Sequence, residues 1–100
     1  MGKASRPKPT RLAEKLKEIR RKLDLSQNGM IRRMGLTDEL TQAEISSFER
    51  GIRVPPLPVL LEYAHVISPD GTGEYLEILV DDHLDLPQKL PTKFRRITRT

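Results

Sequence analysis

Thr41-Gln-Ala-Glu-Ile-Ser-Ser-Phe-Glu-Arg-Gly51 is the stretch on which the reading of this 100-residue chain turns. It reads as a short helix with a marked start and stop. Thr41 is an N-cap residue type, and Glu44, three positions on, can reach back to the Thr41 backbone N–H to complete a capping box. Gly51 falls where a left-handed residue ends a helix. Ile45 and Phe48 share one face, while Gln42, Ala43, Ser46 and Ser47 fall mainly on the other. That outward set is short, uncharged and rich in hydrogen-bonding groups. An ordinary capped surface helix would carry the same marks, so the flanking sequence has to decide what the face is for.

Upstream, Thr10 is expected to cap a first helix that runs to Lys22 or Leu23. Leu12, Leu16, Ile19 and Leu23 recur in it at spacings of four, three and four, an amphipathic stripe. Asp24-Leu25 makes a tight connection. Ser26 then caps a second helix to about Met34, with Met30, Ile31 and Met34 inward and Gly35 as its stop. Gln27 and Asn28 occupy its first turn, where free backbone N–H groups make a natural phosphate-binding end. Gly29 weakens that helix by roughly 1 kcal/mol relative to Ala unless close backbone approach requires it. Leu36 and Leu40 are expected to turn inward in the link to Thr41.

Downstream, the three prolines of Ile52-Arg-Val-Pro-Pro-Leu-Pro58 cannot continue a helix. A fourth helix is predicted over about 58–67, with Leu60, Leu61, Ala64 and Ile67 in the core. Ser68–Gly73 is a turn cluster. A fifth helix, over about 74–82, carries Tyr75, Leu76, Ile78, Leu79 and Val80. Asp81-Asp82-His83-Leu84-Asp85 reads as a helix end running into solvent. No segment reads as a strand, and Pro87 and Pro91 leave the remainder extended or disordered. The expected organisation is a flexible basic arm over 1–9, an all-α domain of five helices over 10–86, and a basic tail over 87–100.

Composition bounds the function. The length suits one domain with one small core. The absence of Cys excludes disulfides and thiolate metal sites. His65 and His83 are too few for a His-built site, so neither metal nor cofactor is expected. No nucleophile–base pair, phosphate loop or metal spacing is present, and an enzyme is not expected. No apolar run approaches the ~18 residues of a membrane span, and no apolar stretch of a signal peptide follows the basic N-terminus. A cytoplasmic protein without membrane contact is the expectation. Net charge is +4 with pI ≈ 9.7, and its distribution is uneven. Residues 1–23 hold nine basic groups against Glu14 and Glu18, residues 57–87 hold seven acids and no Lys or Arg, and the last stretch is basic again with Lys89, Lys93, Arg95, Arg96 and Arg99. Such asymmetry suggests one anion-seeking side, and a polyanion as partner.

Taken together, Leu16-Lys-Glu-Ile-Arg20, Leu25-Ser-Gln27, Met30…Met34-Gly35-Leu36, Ile45-Ser-Ser-Phe-Glu-Arg-Gly51 and Pro55…Leu57…Leu60…Ala64…Ile67 resemble the Cro/phage-repressor (Xre-like) helix-turn-helix DNA-binding domains, over about Leu12 to Val80. The resemblance implies a helix-turn-helix at helices two and three, with the Thr41 helix in the major groove and its first residues over base edges. Thr41, Gln42, Ala43, Ser46 and Ser47 would then contact bases. Gln42 is the best specificity residue, because its amide can pair with adenine N6 and N7 together. Gln27, Asn28, Arg50 and Arg53 would hold phosphates and set register. The resemblance also implies a structural ion pair between Arg20 and Glu49. The implied function is a sequence-specific transcriptional regulator, nucleoid-associated when bound to double-stranded DNA as a homodimer. Tyr75, Leu79 or Val80 of helix five could serve the contact with the second copy, and they suit the core equally well.

Three departures qualify that expectation. Gly35 to Gly51 makes the turn about four residues longer than is usual for the family. Ile31 stands where the family places a small residue, which implies a more open crossing of helices two and three. Glu44 puts a negative charge in the first turn of the recognition helix, where it either serves the capping box or opposes phosphate. These features also suit an alternative, a protein-interaction module of antitoxin or adaptor type on the same scaffold. Its partner would be engaged through the tail containing Phe94 and Ile97, which could order on binding.

Overall fold

Capping chemistry sets most of the helix boundaries. The computed structural model describes residues 10–91, in which α1 (Leu12–Lys22), α2 (Gln27–Met34), α3 (Gln42–Glu49), α4 (Leu57–Ile67) and α5 (Thr72–Val80) follow one another. No strand occurs among the described residues. The arm over 1–9 and the distal tail with Phe94 and Ile97 lie outside them.

The Ser26 hydroxyl accepts a hydrogen bond from Gly29 N at 2.9 Å. A Cβ on Gly29 would approach that hydroxyl to 3.1 Å, so glycine here makes room for the cap. The capping box of α3 is complete: Thr41 Oγ1 accepts from Glu44 N and Glu44 Oε1 accepts from Thr41 N, at 3.3 and 2.9 Å. Three helices stop by the same device. Asp24, Gly35 and Gly51 adopt φ of 59°, 74° and 76°. The next residue's N–H then returns to a carbonyl five positions back (Leu25 to Arg20, Leu36 to Ile31, Ile52 to Ser47), the Schellman arrangement.

Thr10 does not cap α1, contrary to expectation. The capping position is Arg11, with no side-chain cap of its own. The acceptor comes from the far end of the chain: Asp82 Oδ2 takes Thr10 N and Oγ1, both at 2.9 Å, and Oδ1 takes Arg11 N at 3.0 Å. The acidic cluster after α5 is therefore tied back onto α1 through Asp82, while His83 and Asp85 stay exposed. Arg11 also donates to the Asp82 carbonyl at 2.8 Å and pairs with Asp85. A carboxylate at a helix N-terminus meets both unsatisfied N–H groups and the positive end of the helix dipole, and in this fold it arrives from 71 residues away. Lys15 completes the clamp in the opposite sense. Its ammonium donates to the carbonyls of Ile78 and Asp81, at 2.6 and 2.9 Å, at the C-terminal end of α5.

α1 packs on α3 and α5, α2 on α3 and α4, and α4 on α5. The shared core contains the α1 stripe with Met30, Ile31, Met34, Ile45 and Phe48. Each such side chain, fully buried, is worth roughly 1.5–3 kcal/mol of transfer free energy. In α4 the expected core is corrected at one position. Leu61 is 37% exposed, and Val59 and Tyr63 pack inward with Leu60, Ala64 and Ile67. The buried positions follow helical spacing, which turns Leu57 and Leu61 to the other side. Pro58 lies in the first turn of α4, where its missing N–H is no loss. α5 begins two residues earlier than expected, at Thr72, whose hydroxyl donates to the carbonyls of Ser68 and Pro69. Tyr75 and Leu79 belong to the core and are not available to a second copy; Val80 remains 41% exposed.

After α5 the chain is not helical, yet it is anchored. Leu86 and Leu90 pack against the core, and Lys22 Nζ donates to the Gln88 carbonyl at 2.8 Å.

Candidate nucleic-acid interface

Ile45 and Phe48 are 0% and 1% exposed, and this one-sided burial fixes the rotation of α3. Thr41, Gln42 and Ala43 are thereby exposed, while Ser46 and Ser47 are half-buried. Ser46 is engaged locally, its hydroxyl accepting from Arg50 Nε at 3.1 Å. The Ser47 carbonyl takes the N–H groups of Ile52 and Arg53.

A chain of hydrogen bonds runs from the interior to this surface. Arg20 holds Glu49 as a fork, Nε to Oε2 at 2.7 Å and Nη2 to Oε1 at 3.0 Å, and its Nη1 donates to the Leu25 carbonyl at 2.9 Å. The Glu49 hydrogen bond raises the Arg20 pKa above its ordinary value, so the guanidinium stays charged. Gln27 Nε2 then donates to Glu49 Oε1 at 3.3 Å, and Gln42 Nε2 donates to Gln27 Oε1 at 3.2 Å. Gln27 is thus half-buried and joined to both neighbours, whereas Asn28 beside it is exposed. The first turns of α2 and α3 are thereby tied together.

Arg53 and Glu44 stand at the rim. Arg53 Nη1 lies 3.6 Å from Glu44 Oε2, and its guanidinium sits over the Phe48 ring at 5.8 Å from the centroid. One oxygen of Glu44 serves the capping box and the other faces Arg53. Arg50 and Arg53 are both exposed.

Three features of this arrangement escaped sequence reasoning. The Asp82 clamp had no local signal. Lys15 had one: it falls on the same helical face as Leu12, Leu16 and Ile19, so a buried ammonium with distant acceptors was implied by position. The apolar residues left most exposed, Ile52 at 60% and Leu57 at 57%, flank a proline-rich link whose outward apolar groups the sequence did not announce. Among the described residues no helix is long and apolar enough to cross a membrane. Comparison with family models, with curated proteins and with solved structures found no match to this chain.

Proposed function

We propose that the chain is a sequence-specific DNA-binding transcriptional regulator of the Cro/phage-repressor type, reading duplex DNA with α3 in the major groove. The observation that carries this reading is the oriented amide of Gln42. Its Nε2 carries two hydrogens, and one is held by Gln27. The second hydrogen and Oε1 form a donor–acceptor pair, the complement of adenine N7 and N6. Because Gln27 is itself fixed on Glu49, the pair is set before the duplex arrives. Ala43 is small enough to admit a thymine methyl group. The first-turn N–H groups of α2, with Asn28, Arg50 and Arg53, supply phosphate contacts that fix register without reading sequence.

The test is Gln42→Ala on a duplex obtained by selection from random sequence. Binding weakens by roughly 1–3 kcal/mol and discrimination relaxes at one base pair. Equal losses on selected and random duplexes would overturn the role. Arg53→Ala, in contrast, weakens binding to every sequence and makes its salt dependence shallower.

A second reading, a partner-binding module on the same scaffold, draws on the exposed Ile52, Val54, Leu57 and Leu61, since exposed apolar groups that adjoin one another mark protein contacts. Elution from a random-DNA column at low salt, together with a co-purifying chain, would favour it.

A further inference from the structure

A cleft of about 280 Å³ opens where the start of α1 meets the end of α3. Ala13 and Gly51 make the room: a Cβ at Gly51 would meet only the Ala13 methyl, at 3.7 Å, so no large side chain stands between the two elements there. Leu12, Phe48 and Pro55 are buried beneath the cleft, and Val54 is exposed at its mouth. Among the described residues that line it, Arg53 alone is charged. The Arg53 guanidinium lies over the Phe48 ring at 5.8 Å from the centroid. Its ionic partner Glu44 is 3.6 Å away, which is too far for a hydrogen bond. The guanidinium carries five N–H donors, and none of them has a hydrogen-bond partner among the described residues. Thr10, the other polar side chain of the lining, already gives its hydroxyl to Asp82.

We propose that this cleft binds an apolar monocarboxylate, an ionised aryl- or branched alkyl-carboxylic acid, with its apolar body against Leu12, Phe48 and Val54 and its carboxylate on Arg53. Size and sign both select that class. An apolar cavity of ~150 Å³ accepts a benzene ring, so about 280 Å³ has room for one ring and the short arm that carries its carboxyl group. Small-ligand sites are mostly apolar, with a few placed polar groups that fix orientation. A guanidinium on an apolar wall holds a carboxylate by two parallel hydrogen bonds, whereas a cationic or neutral ligand leaves it unmatched. Residues 1–9, which adjoin Thr10, hold Lys3, Arg6 and Lys8 and no acid, so their charge has the wrong sign for this cleft. The ligand takes the place of Glu44 on Arg53, while the other Glu44 oxygen keeps the capping box. The site stands apart from the DNA-binding reading, but its consequence rests on that reading. Arg53 is there a phosphate contact, so an occupant that engages its donors and adds a negative charge lowers affinity for every duplex. The cleft is thereby an effector site within the DNA-binding domain itself.

The experiment titrates phenylacetate, its neutral counterpart phenylacetamide and the branched-chain acid isocaproate into the isotope-labelled full chain, following backbone amides by NMR. Phenylacetate should shift Ala13, Gly51 and Val54 together along one saturable curve, and phenylacetamide should bind about ten-fold more weakly, the loss of one charge-assisted contact. Arg53→Gln, at an exposed position, should melt as the parent does and lower phenylacetate to the affinity of the amide. Ala13→Leu, which fills the cleft from α1, should abolish binding; if it does not fold, the comparison with Arg53→Gln decides alone. Phenylacetate should also weaken the parent's binding to selected and random duplexes by the same factor, and leave that of Arg53→Gln unchanged. No saturable shift with either acid, equal affinity for acid and amide, or an acid affinity untouched by Arg53→Gln overturns the inference. Shifts of the same three amides on concentrating the chain alone give the cleft to a second copy and overturn it too. Unchanged DNA affinity with the cleft occupied overturns the effector role. A parent that takes phenylacetate at the cleft and binds neither duplex overturns the DNA reading and leaves the carboxylate site standing.

Discussion

Glu49 of α3 and Gln27 of α2 meet through a hydrogen bond of 3.3 Å from Nε2 to Oε1, so the carboxylate that pairs with Arg20 also orients the amide that holds Gln42. Under the proposed function, one buried charge thus joins stability to recognition. The Glu49 side chain is 3% exposed and that of Arg20 16%, and removing one partner of such a pair leaves the other uncompensated. Glu49→Gln, which keeps the shape and deletes the charge, should destabilise the fold toward the lower end of the ~3–5 kcal/mol expected for a broken buried pair, measured by urea denaturation. Arg20→Lys should cost less, because it keeps the charge and loses the fork. In native buffer, Glu49→Gln should also blunt the base discrimination attributed to Gln42. Unaltered discrimination would show that Gln42 needs no support from beneath.

The Asp82 clamp makes a pH prediction. The backbone N–H groups of Thr10 and then Arg11 hold its carboxyl below the ordinary value of 3.8. A group whose folded pKa is depressed stabilises the fold above its unfolded pKa, and that contribution is lost as pH falls through the folded value. The melting temperature should therefore fall with acidification below about pH 4. Asp82→Asn, less stable at neutral pH, should show a shallower fall over the same window. Parallel curves for the two proteins would remove Asp82 from the acid response.

What was legible in the sequence was local. Ser26, Thr41, Gly35 and Gly51 announce helix ends because cap and capped groups lie within a turn of each other. The α1 stripe was readable because spacing alone specifies it. What was not legible joins distant residues. Thr10 is a good cap type, yet Asp82 takes its backbone N–H and hydroxyl, and no spacing rule links the two positions. Tyr75 and Leu79 looked as suited to an interface as to a core, and only the packing of α4 on α5 decides. The segment after α5 had the same obscurity: Pro87 and Pro91 forbid a helix, but they say nothing of Leu86 and Leu90 seating on the core. At the candidate site, Gln42 was singled out from its type and position, whereas its link to Gln27 and Glu49 depends on how two helices meet.

Glu44 limits DNA affinity under the proposed function. Its carboxylate closes the capping box on Thr41 and faces Arg53 at 3.6 Å. Gln at this position preserves the box, removes a negative charge from the groove side and releases Arg53 for phosphate. Glu44→Gln should bind both selected and random duplexes several-fold more tightly. The exposed Glu44–Arg53 pair is worth only about 0.2–1 kcal/mol, so the change in stability should stay within that range. Weaker binding by Glu44→Gln would instead give the carboxylate a contact with a base, such as cytosine N4.

Tyr63 presents the opposite case, a polar group whose removal should help. Its ring is 0% exposed at the centre of α4's buried face, and its hydroxyl has no hydrogen-bond partner among the described residues. Burial, and after it the nearby Glu49 carboxylate, raises the phenol pKa far above its ordinary value, so the group is a neutral, desolvated hydroxyl throughout the working pH range. An unsatisfied buried hydroxyl costs about 1–3 kcal/mol, while the ring itself contributes packing that phenylalanine reproduces. Tyr63→Phe should therefore leave the fold unchanged and raise its stability by about 1 kcal/mol in urea denaturation. A loss of similar size would mean that the hydroxyl finds a partner in solution, with Glu49, whose charge it feels, as the acceptor to examine by the double variant with Glu49→Gln. In that event the relay from Arg20 to Gln42 would gain a fifth member, and Tyr63→Phe would reduce base discrimination together with stability.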